Sequence, residues 1–532
     1  MMPQIRQCLR ENLQVIWLFV LAAVISLGWF FLDGDVGVNF SDEGYLWYGT
    51  HAMRAGQVPM RDFQGYDPGR YCWTTAWSYV LGDGLVPMRL ACTLFGILGV
   101  TAGLLCARRL SRHPLFLVCM GLMLCAWMHP RYKLFEQTIA LLAVYAGVLL
   151  LEKPALRRHF AVGVFGGLSA FFGRNHGAYH VFVFSLLIGY AAWGKGWGTW
   201  CSRSAAWAAG LLVGYLPHLL MFVAIPGYFG SFIAGLHELA AKGTNLATDV
   251  MWPWLVTPDF TGIAYVAKFF EGTFYVLLLL FLALAAWRLV FLGRAGRESC
   301  PVLIAAFCVT LAYSHYVFSR PDVVHLAHDG PTMVLGVVAL GFTLGRAGLF
   351  LVPVLTVASF IGNLHQYGAT FEFLSDAKSL FTIEVAGHPM VNSRERTQIL
   401  IAAKKLARDM AKPDESIWFI PNFPGMYPYV GRKSPTKQIY FIYPATPPEE
   451  RAILTEIEGA KVQWVMIHDY ALDGRDELRF RNGYPMVFAH LQKKFGLVKM
   501  DDLPSDIVVL HRLTAPAESR ATSEATPTQS VP

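Results

Sequence analysis

The stretch NFSDEGYLWYGTHAMRAGQVPMRDFQGYDPGRY, residues 39–71, follows directly on the first long apolar segment of the chain, residues 15–32. Two adjacent carboxylates, Asp42 and Glu43, lie just beyond that segment, where a charged side chain is near a lipid bilayer and still reaches water. Such a position suits a general base that acts on a substrate held by a lipid. An interfacial loop whose acids are merely solvated has the same pattern, so these residues alone leave both interpretations open.

The composition places this stretch in a membrane protein. Of the 532 residues, 55% are hydrophobic and only 15% are charged, and the mean hydropathy is +0.41. A soluble protein of this length carries a larger charged fraction. We therefore predict a polytopic α-helical membrane protein.

Further apolar runs predict about eleven transmembrane helices, at roughly twenty residues per span. The first run follows Arg6 and Arg10 and has no small-residue cleavage site, which favours a retained helix over a signal peptide. The predicted spans are residues 15–32, 85–107, 114–128, 137–151, 160–173, 178–193, 205–225, 273–292, 300–318, 331–344 and 349–363.

The connectors between these spans predict the topology. Alternate connectors are short and basic, and the positive-inside rule puts such connectors in the cytoplasm. We therefore predict a cytoplasmic N-terminus, with the other connectors on the external side of the plasma membrane. In some bacteria this membrane is the inner membrane, and its external side faces the periplasm. The basic connectors contain Arg108, Arg109, Arg112, Lys153, Arg157, Arg158, Lys195, Arg203, Arg294, Arg297 and Arg346.

Cationic side chains gather in the connectors that we place outside. Several of them at the mouths of different helices could converge on one anionic group, such as the phosphate of a lipid carrier, because charge-assisted contacts are strong at a partly dehydrated interface. These cations could instead meet lipid headgroups or one another. The candidate phosphate ligands are Arg70, Arg131, Lys133, Arg174, His176, Arg320 and His325.

The segment SRPDVVHLAHDGP, residues 319–331, predicts a short external turn between two spans. Helical spacing would bring Asp322 and His325 together, and Pro321 would start the turn. The His and carboxylate pairing also suggests a divalent metal, although no dense ligand signature such as HExxH is present. The polar segment GRNHGAY, residues 173–179, predicts either phosphate ligands or a tight polar turn.

The composition becomes typical of a soluble domain after about residue 364. Residues 393–410 have the pattern of an amphipathic helix with Ser393 as its cap, and IWFI, VQWVMI and DIVVL have the pattern of buried strands. We predict a transmembrane domain at residues 1–363 with its first external loop at 33–84, an external α/β domain at 364–513 and a disordered tail at 514–532.

Several classes of function lack their usual signals. The sequence has no Walker loop, no dinucleotide-binding GxGxxG fingerprint and no GxSxG nucleophile elbow. Nothing in it resembles a nucleic-acid site. The nine cysteines all precede residue 309, so they imply no disulfide framework in the external domain.

The loop SDEGYLWYGTHAMRAGQVPMRDF, which begins with an acidic pair after a first transmembrane helix, resembles the first loop of the GT-C glycosyltransferases. Many later spans and a terminal soluble domain extend the likeness over nearly the whole chain. It is strongest to the bacterial group that includes protein O-mannosyltransferases and lipid A aminoarabinose transferases. In YDPGRY, residues 66–71, this chain departs from relatives that often have paired prolines there.

The resemblance implies transfer of a sugar from a polyprenyl-phosphate donor to a glycan, lipid or protein acceptor outside the membrane, with inversion. It implies that an acidic residue of the first loop, Asp42 before Glu43, serves the acceptor or a divalent metal, and that basic residues of later loops hold the donor phosphate. A non-enzymatic carrier of lipid-linked glycans, or a protein that polymerises or ligates whole glycans, would use similar residues. A charged path through both faces would favour the carrier.

Overall fold

The computed structural model describes residues 2–242, 246, 248–257, 262–345, 347–363, 380–500 and 502–513. Most of the described residues before 364 are helical, and each predicted span overlaps one helix. The helices are α1 (Met2–Asp33), α2 (Asp42–Arg54), α3 (Pro68–Leu81), α4 (Leu85–Ala107), α5 (Pro114–Ala126), α6 (Leu134–Glu152), α7 (Leu156–Phe172), α8 (Arg174–Ala192), α9 (Trp197–Ala224), α10 (Tyr228–Lys242), α11 (Gly262–Phe291), α12 (Arg294–Glu298), α13 (Pro301–Ser319), α14 (Val323–Thr343) and α15 (Ala347–Asn363).

Within the described residues, seven helices are long and apolar enough to cross a membrane, judged by length and composition. Helices α5 and α15 are apolar but shorter. In the central helix α14, 94% of the most apolar window is buried, against 17% in α1, so α14 forms the middle of the bundle and α1 lies at its edge. The polytopic architecture predicted from composition is therefore confirmed, and the side on which each loop lies stays a prediction.

Small residues allow α7 and α9 to pack backbone against backbone. A Cβ atom added to Gly163 would lie 2.1 Å from the Trp207 carbonyl oxygen, and one added to Gly214 would lie 2.0 Å from the Val164 carbonyl oxygen. Glycines spaced four apart on both helices are the usual means of such close approach in membranes, where apolar surface alone does not drive helices together.

The loop between α1 and α4 contains two buried helices, α2 and α3. The side-chain oxygen of Asn39 accepts hydrogen bonds from the backbone N–H groups of Ser41 (3.0 Å) and Asp42 (3.1 Å). These are orphan donors of the first turn of α2, so Asn39 determines where that helix begins. Asp42 and Glu43 consequently occupy the first turn of α2.

The prediction of a turn over residues 319–331 was largely wrong. Helix α14 begins at Val323, and its N-cap Asp322 accepts a hydrogen bond from the backbone N–H of His325 at 2.8 Å. Its first two turns carry the polar residues His325, His328 and Asp329, whose side chains are buried in the bundle. Hydropathy could not reveal a helix at that point because its buried side chains are polar.

The C-terminal region is a small α/β domain. A two-stranded antiparallel sheet pairs β1 (Leu380–Val385) with β2 (His388–Ser393). A four-stranded sheet has the order β3-β4-β6-β5, where β3 and β4 are parallel and the other pairs are antiparallel. Its strands are β3 (Ile417–Ile420), β4 (Trp464–His468), β5 (Phe495–Val498) and β6 (Ile507–Arg512), and its helices are α16 (Arg394–Lys405), α17 (Met426–Val430), α18 (Pro447–Gly459), α19 (Phe480–Gly483) and α20 (Pro485–Lys494).

The three predicted strand motifs and the helix capped by Ser393 are confirmed. The Ser393 side chain accepts a hydrogen bond from the backbone N–H of Arg396, and α16 continues into a π-helical turn over Leu406–Met410. The predicted boundary near residue 364 falls within residues 364–379, and the predicted tail is residues 514–532. Both lie outside the described residues.

The C-terminal domain packs on the first loop through backbone hydrogen bonds. The N–H of Val391 donates to the Asp35 carbonyl at 2.9 Å, and the N–H of Gly37 donates to the Val391 carbonyl at 2.7 Å. Farther along, the N–H of Gly425 donates to the Phe40 carbonyl at 3.0 Å. These contacts bring the domain against the segment that leads into α2.

Candidate functional site

The Asp42 carboxylate lies between the helical bundle and the C-terminal domain. The Tyr132 hydroxyl donates to Oδ2 at 3.0 Å, and the Tyr440 hydroxyl donates to Oδ1. Asp42 is half-buried, and a hydroxyl from each side fixes the orientation of its carboxylate. A carboxylate held in this way can accept a further hydrogen bond from a substrate hydroxyl.

Lys133 is the cation most closely coupled to Asp42. It follows Tyr132 in a 3₁₀ turn, Arg131–Lys133, and its ammonium lies 5.6 Å from the centroid of the Tyr132 ring. Within the described residues, the ammonium forms neither a hydrogen bond nor an ion pair. Lys133 is half-buried, so its charge is available to an anion that enters the site.

The surroundings keep Asp42 ionised. Burial acts to raise the pKa of its carboxyl group, but the Lys133 charge, the hydrogen bonds from Tyr440 and Tyr132, and the Arg320 charge outweigh burial. The pKa of Asp42 consequently lies below its ordinary value. At neutral pH the carboxylate is an acceptor and not a donor.

Arg70 lies in the first turn of α3. Its guanidinium forms a buried ion pair with Glu136, at 2.7 Å from Nη1 to Oε1, and donates from Nε to the Phe172 carbonyl at 2.9 Å. The Tyr66 ring covers it at 4.7 Å. The second oxygen of Glu136 is buried and has no hydrogen-bond partner within the described residues, which leaves this ion pair only partly satisfied.

Arg131 and Arg174 are each paired with a carboxylate of the first loop. Arg131 lies 3.3 Å from Asp33 and also donates to backbone carbonyls at the end of α1. Arg174 Nε lies 3.2 Å from Asp67 Oδ1, and the same carboxylate accepts from the Arg174 backbone N–H at 3.0 Å. Arg174 therefore begins α8 instead of a tight turn, and Asp67 stabilises that helix start.

Arg320 joins the bundle to the C-terminal domain. Its Nε lies 3.0 Å from Asp322 Oδ2, and its Nη2 lies 2.8 Å from Asp473 Oδ2. The predicted pairing of Asp322 with His325 is present, at 2.8 Å between Oδ1 and Nδ1. Burial acts to raise the pKa of Asp322, but the His325 hydrogen bonds and the Arg320 charge lower it below the ordinary value.

Two histidines, His176 and His328, are buried in the helical bundle. His176 is buried, and its Nδ1 lies 2.8 Å from the Tyr313 hydroxyl. His328 is fully buried, and neither of its ring nitrogens has a hydrogen-bond partner within the described residues. The Tyr316 ring lies 4.6 Å from His328 and 5.6 Å from His325, centroid to centroid, so these side chains pack together at the start of α14.

Glu43 lies beside Asp42 in sequence but in a different environment. Arg89 donates to both of its carboxylate oxygens, and the same guanidinium donates to the carbonyls of Gly34 and Gly37. Burial acts to raise the pKa of Glu43, but the Arg89 charge and hydrogen bonds lower it. Both side chains are almost completely buried, so Glu43 holds the end of α1 against α2.

Sequence reasoning did not find Tyr132, Tyr440 or Arg89 as site residues. Tyr132 stands between two candidate cations, Arg131 and Lys133, and this position in the sequence could have identified it as a candidate site residue. Tyr440 is 398 residues away from Asp42 along the chain, so no local pattern connects them.

The described residues provide no ligand set for the divalent metal that we considered at Asp42 and at residues 319–331. No group of three or more His, Cys, Asp and Glu side chains among the described residues could hold a metal ion. Each Asp42 oxygen already accepts a tyrosine hydrogen bond.

At the level of sequence, no protein-family model and no curated protein matches this chain. At the level of structure, the chain is similar to ArnT from Cupriavidus metallidurans bound to undecaprenyl phosphate, with a TM-score of 0.53 and 15% identity over 94% of this chain and 98% of that chain. It is similar to ArnT from the same organism in the apo state, with a TM-score of 0.51 and 13% identity over the same shares. At these identities the likeness shows the fold, and the predicted GT-C architecture is confirmed.

Proposed function

We propose that this chain is an integral-membrane glycosyltransferase that transfers a sugar from a polyprenyl-phosphate donor to an acceptor hydroxyl outside the membrane. One observation carries the proposal: an ionised, half-buried Asp42 lies beside Lys133, a cation without a hydrogen-bond or ion-pair partner in the described part of the chain. A transferase of this kind needs a carboxylate for the acceptor and a cation for the departing phosphate, next to each other.

In the proposed reaction, the acceptor hydroxyl donates a hydrogen bond to Asp42 and its oxygen attacks the anomeric carbon of the donor. The new carbon–oxygen bond forms as the bond from that carbon to the phosphate oxygen breaks, so the configuration inverts. The hydroxyl proton passes to Asp42 and then to solvent. A carboxylate with a lowered pKa can still act as the general base, because the acceptor proton becomes strongly acidic as the new bond forms.

The leaving group takes the bonding electron pair and departs as polyprenyl phosphate. Lys133 offsets the charge that develops on this phosphate, in a half-buried site where such a contact is stronger than in water. Arg70, covered by Tyr66 and paired with Glu136, contributes its positive charge to the same site. The other predicted phosphate ligands, Arg131, Arg174, His176, Arg320 and His325, all have protein partners and are proposed to shape the site.

The fold supports this assignment. One structure of similar fold, ArnT, was solved with undecaprenyl phosphate bound, and the chain covers 98% of it. A lipid-phosphate donor also agrees with the lack of any nucleotide-binding motif in the sequence. We propose a plasma-membrane location with the site on the external face, following the basic connectors.

The test is a panel of radiolabelled polyprenyl-phosphate sugars incubated with the full-length protein in membranes and with a cell-envelope extract as the acceptor source. We expect one donor to release free polyprenyl phosphate while its sugar appears in a product of inverted configuration. Movement of intact donor across the membrane without cleavage would support a carrier and contradict the proposal. Product of retained configuration would contradict the single displacement.

A further inference from the structure

We infer that Tyr440 is a positioning residue of the transfer, through which the C-terminal domain completes the active site. This inference rests on the proposed function and deepens it. The Tyr440 hydroxyl donates to Oδ1 of Asp42, while Tyr132 of the membrane part donates to Oδ2. The carboxylate is therefore bracketed by two hydroxyls that belong to different domains.

The backbone around Tyr440 is held in place by a residue of the first loop. The side-chain oxygen of Gln64 accepts hydrogen bonds from the N–H groups of Ile439 (3.2 Å) and Tyr440 (3.1 Å). The Gln64 backbone N–H donates to the Lys437 carbonyl at 2.8 Å. Three hydrogen bonds from one residue thus fix the segment that presents the Tyr440 hydroxyl.

Aromatic packing fixes the ring itself. The Tyr45 ring, one turn along α2 from Asp42, meets the Tyr440 ring edge to face at 5.4 Å between centroids, and it meets Tyr66 at 4.8 Å. Such pairs have a preferred geometry, so they restrict the rotation of both rings. The position of the Tyr440 hydroxyl follows from the docking of the C-terminal domain on α2.

The chemistry of this contact determines what Tyr440 contributes. Burial and the neighbouring Asp42 carboxylate raise the pKa of the Tyr440 hydroxyl well above its ordinary value, so it stays protonated and donates. A donor to the charged form of Asp42 stabilises that form and leaves the remaining lone pairs for the acceptor hydroxyl. Loss of the Tyr440 hydroxyl would let the carboxylate rotate and would favour its protonation.

The pH dependence of the site involves other groups that face Asp42. They come from the membrane part, the first loop and the C-terminal domain. Tyr440→Phe removes only the Tyr440 hydroxyl and leaves all of these side chains in place. They are Lys133, Tyr132, Arg320, Tyr66 and Tyr470.

The test compares Tyr440→Phe with the wild type in full-length purified protein, using the polyprenyl-phosphate sugar that the donor panel identifies. We expect kcat to fall about tenfold, as for the loss of one hydrogen bond to a charged group, with little change in the KM for donor. We expect the acid limb of the pH–rate profile to move to higher pH, because Asp42 loses a donor that favours its charged form.

Tyr429→Phe is the matched control, because the Tyr429 hydroxyl is buried in the same domain and has no hydrogen-bond partner within the described residues. We expect it to behave as the wild type. Gln64→Leu, which removes two of the three hydrogen bonds to the 437–440 segment, should reproduce the Tyr440→Phe pH profile through a different residue.

A wild-type pH profile in Tyr440→Phe would overturn the inference. So would a lower kcat that accompanies a lower melting temperature while the acid limb stays in place, since that result indicates a structural role alone. Failure of the wild type to cleave any donor would instead overturn the proposed function, and the inference with it.

Discussion

The guanidinium of Arg89 donates to both carboxylate oxygens of Glu43, at 2.7 Å from Nε to Oε1 and 2.7 Å from Nη2 to Oε2. This buried pair lies one residue from Asp42, whose oxygens accept hydrogen bonds from tyrosine hydroxyls instead. The two adjacent carboxylates thus have different environments. We propose that Glu43 stabilises the first loop and that Asp42 performs the chemistry.

Replacing Glu43 should affect stability far more than replacing Asp42. Glu43→Gln leaves the Arg89 charge buried without a counter-ion, and we expect the protein to lose about 3 kcal/mol of unfolding free energy. Asp42→Asn keeps a half-buried polar group of the same shape and should cost about 1 kcal/mol or less. Denaturation of both variants in the same detergent checks this difference. Equal stability of the two variants would show that the Glu43–Arg89 pair does not hold the loop.

Lys133 should control the affinity for the donor. Lys133→Met removes the cation beside Asp42 that has no ion-pair partner among the described residues, and we expect the KM for the polyprenyl-phosphate donor to rise tenfold or more, by about 1.5–3 kcal/mol. Lys404→Met, at an exposed position of α16, is the matched control for loss of a lysine charge. Donor titration of both variants measures the effect. A normal KM in Lys133→Met would assign the phosphate contact to another residue.

Arg320 should contribute less to donor binding than Lys133. Two carboxylates, Asp322 and Asp473, already neutralise its charge, and the pair with Asp473 is partly exposed and so only weakly stabilising. We expect Arg320→Met to raise the KM for donor by about threefold or less, under 1 kcal/mol. The same donor titration measures it. An effect as large as that of Lys133→Met would identify Arg320 as a direct phosphate ligand.

Gly44 should be required for the docking of the C-terminal domain. A Cβ atom at this position would lie 2.5 Å from the Gly425 backbone nitrogen, so Gly44→Ala forces two backbones apart. We expect a loss of about 1–3 kcal/mol in stability and a lower transfer rate, because Tyr440 moves with the domain.

Gly459→Ala is the matched control for Gly44→Ala, because a Cβ atom at Gly459 has nothing within 4 Å. Thermal denaturation and transfer assays on both variants provide the comparison. Unchanged stability and activity in Gly44→Ala would mean that the two backbones separate without consequence for the site.

Much of the fold could be predicted from the sequence because its signals are local. Each predicted apolar run overlaps a helix of the described chain, and short β-branched and aromatic runs identified the strands at Ile417–Ile420, Trp464–His468 and Ile507–Arg512. The start of α14 was missed because the polar side chains of His325, His328 and Asp329 interrupt the apolar pattern while being buried by tertiary packing.

The site was less predictable because ion pairing is a property of the folded chain. The sequence identified candidate cations in the connectors, but it could not reveal that Arg174 meets Asp67, 107 residues away, or that Arg320 meets Asp473, 153 residues away. Those distant carboxylates distinguish the paired cations from Lys133. The contribution of Tyr440 depends on the docking of a separate domain and had no local signal.

The most direct test of the account is to measure donor binding and sugar transfer in the same preparation of Asp42→Asn. The account predicts donor binding within about threefold of the wild type, because Lys133 is intact, together with a loss of transfer of at least about a hundredfold, as expected for a missing general base. Transfer at the wild-type rate by Asp42→Asn would contradict the account and remove Asp42 from the chemistry.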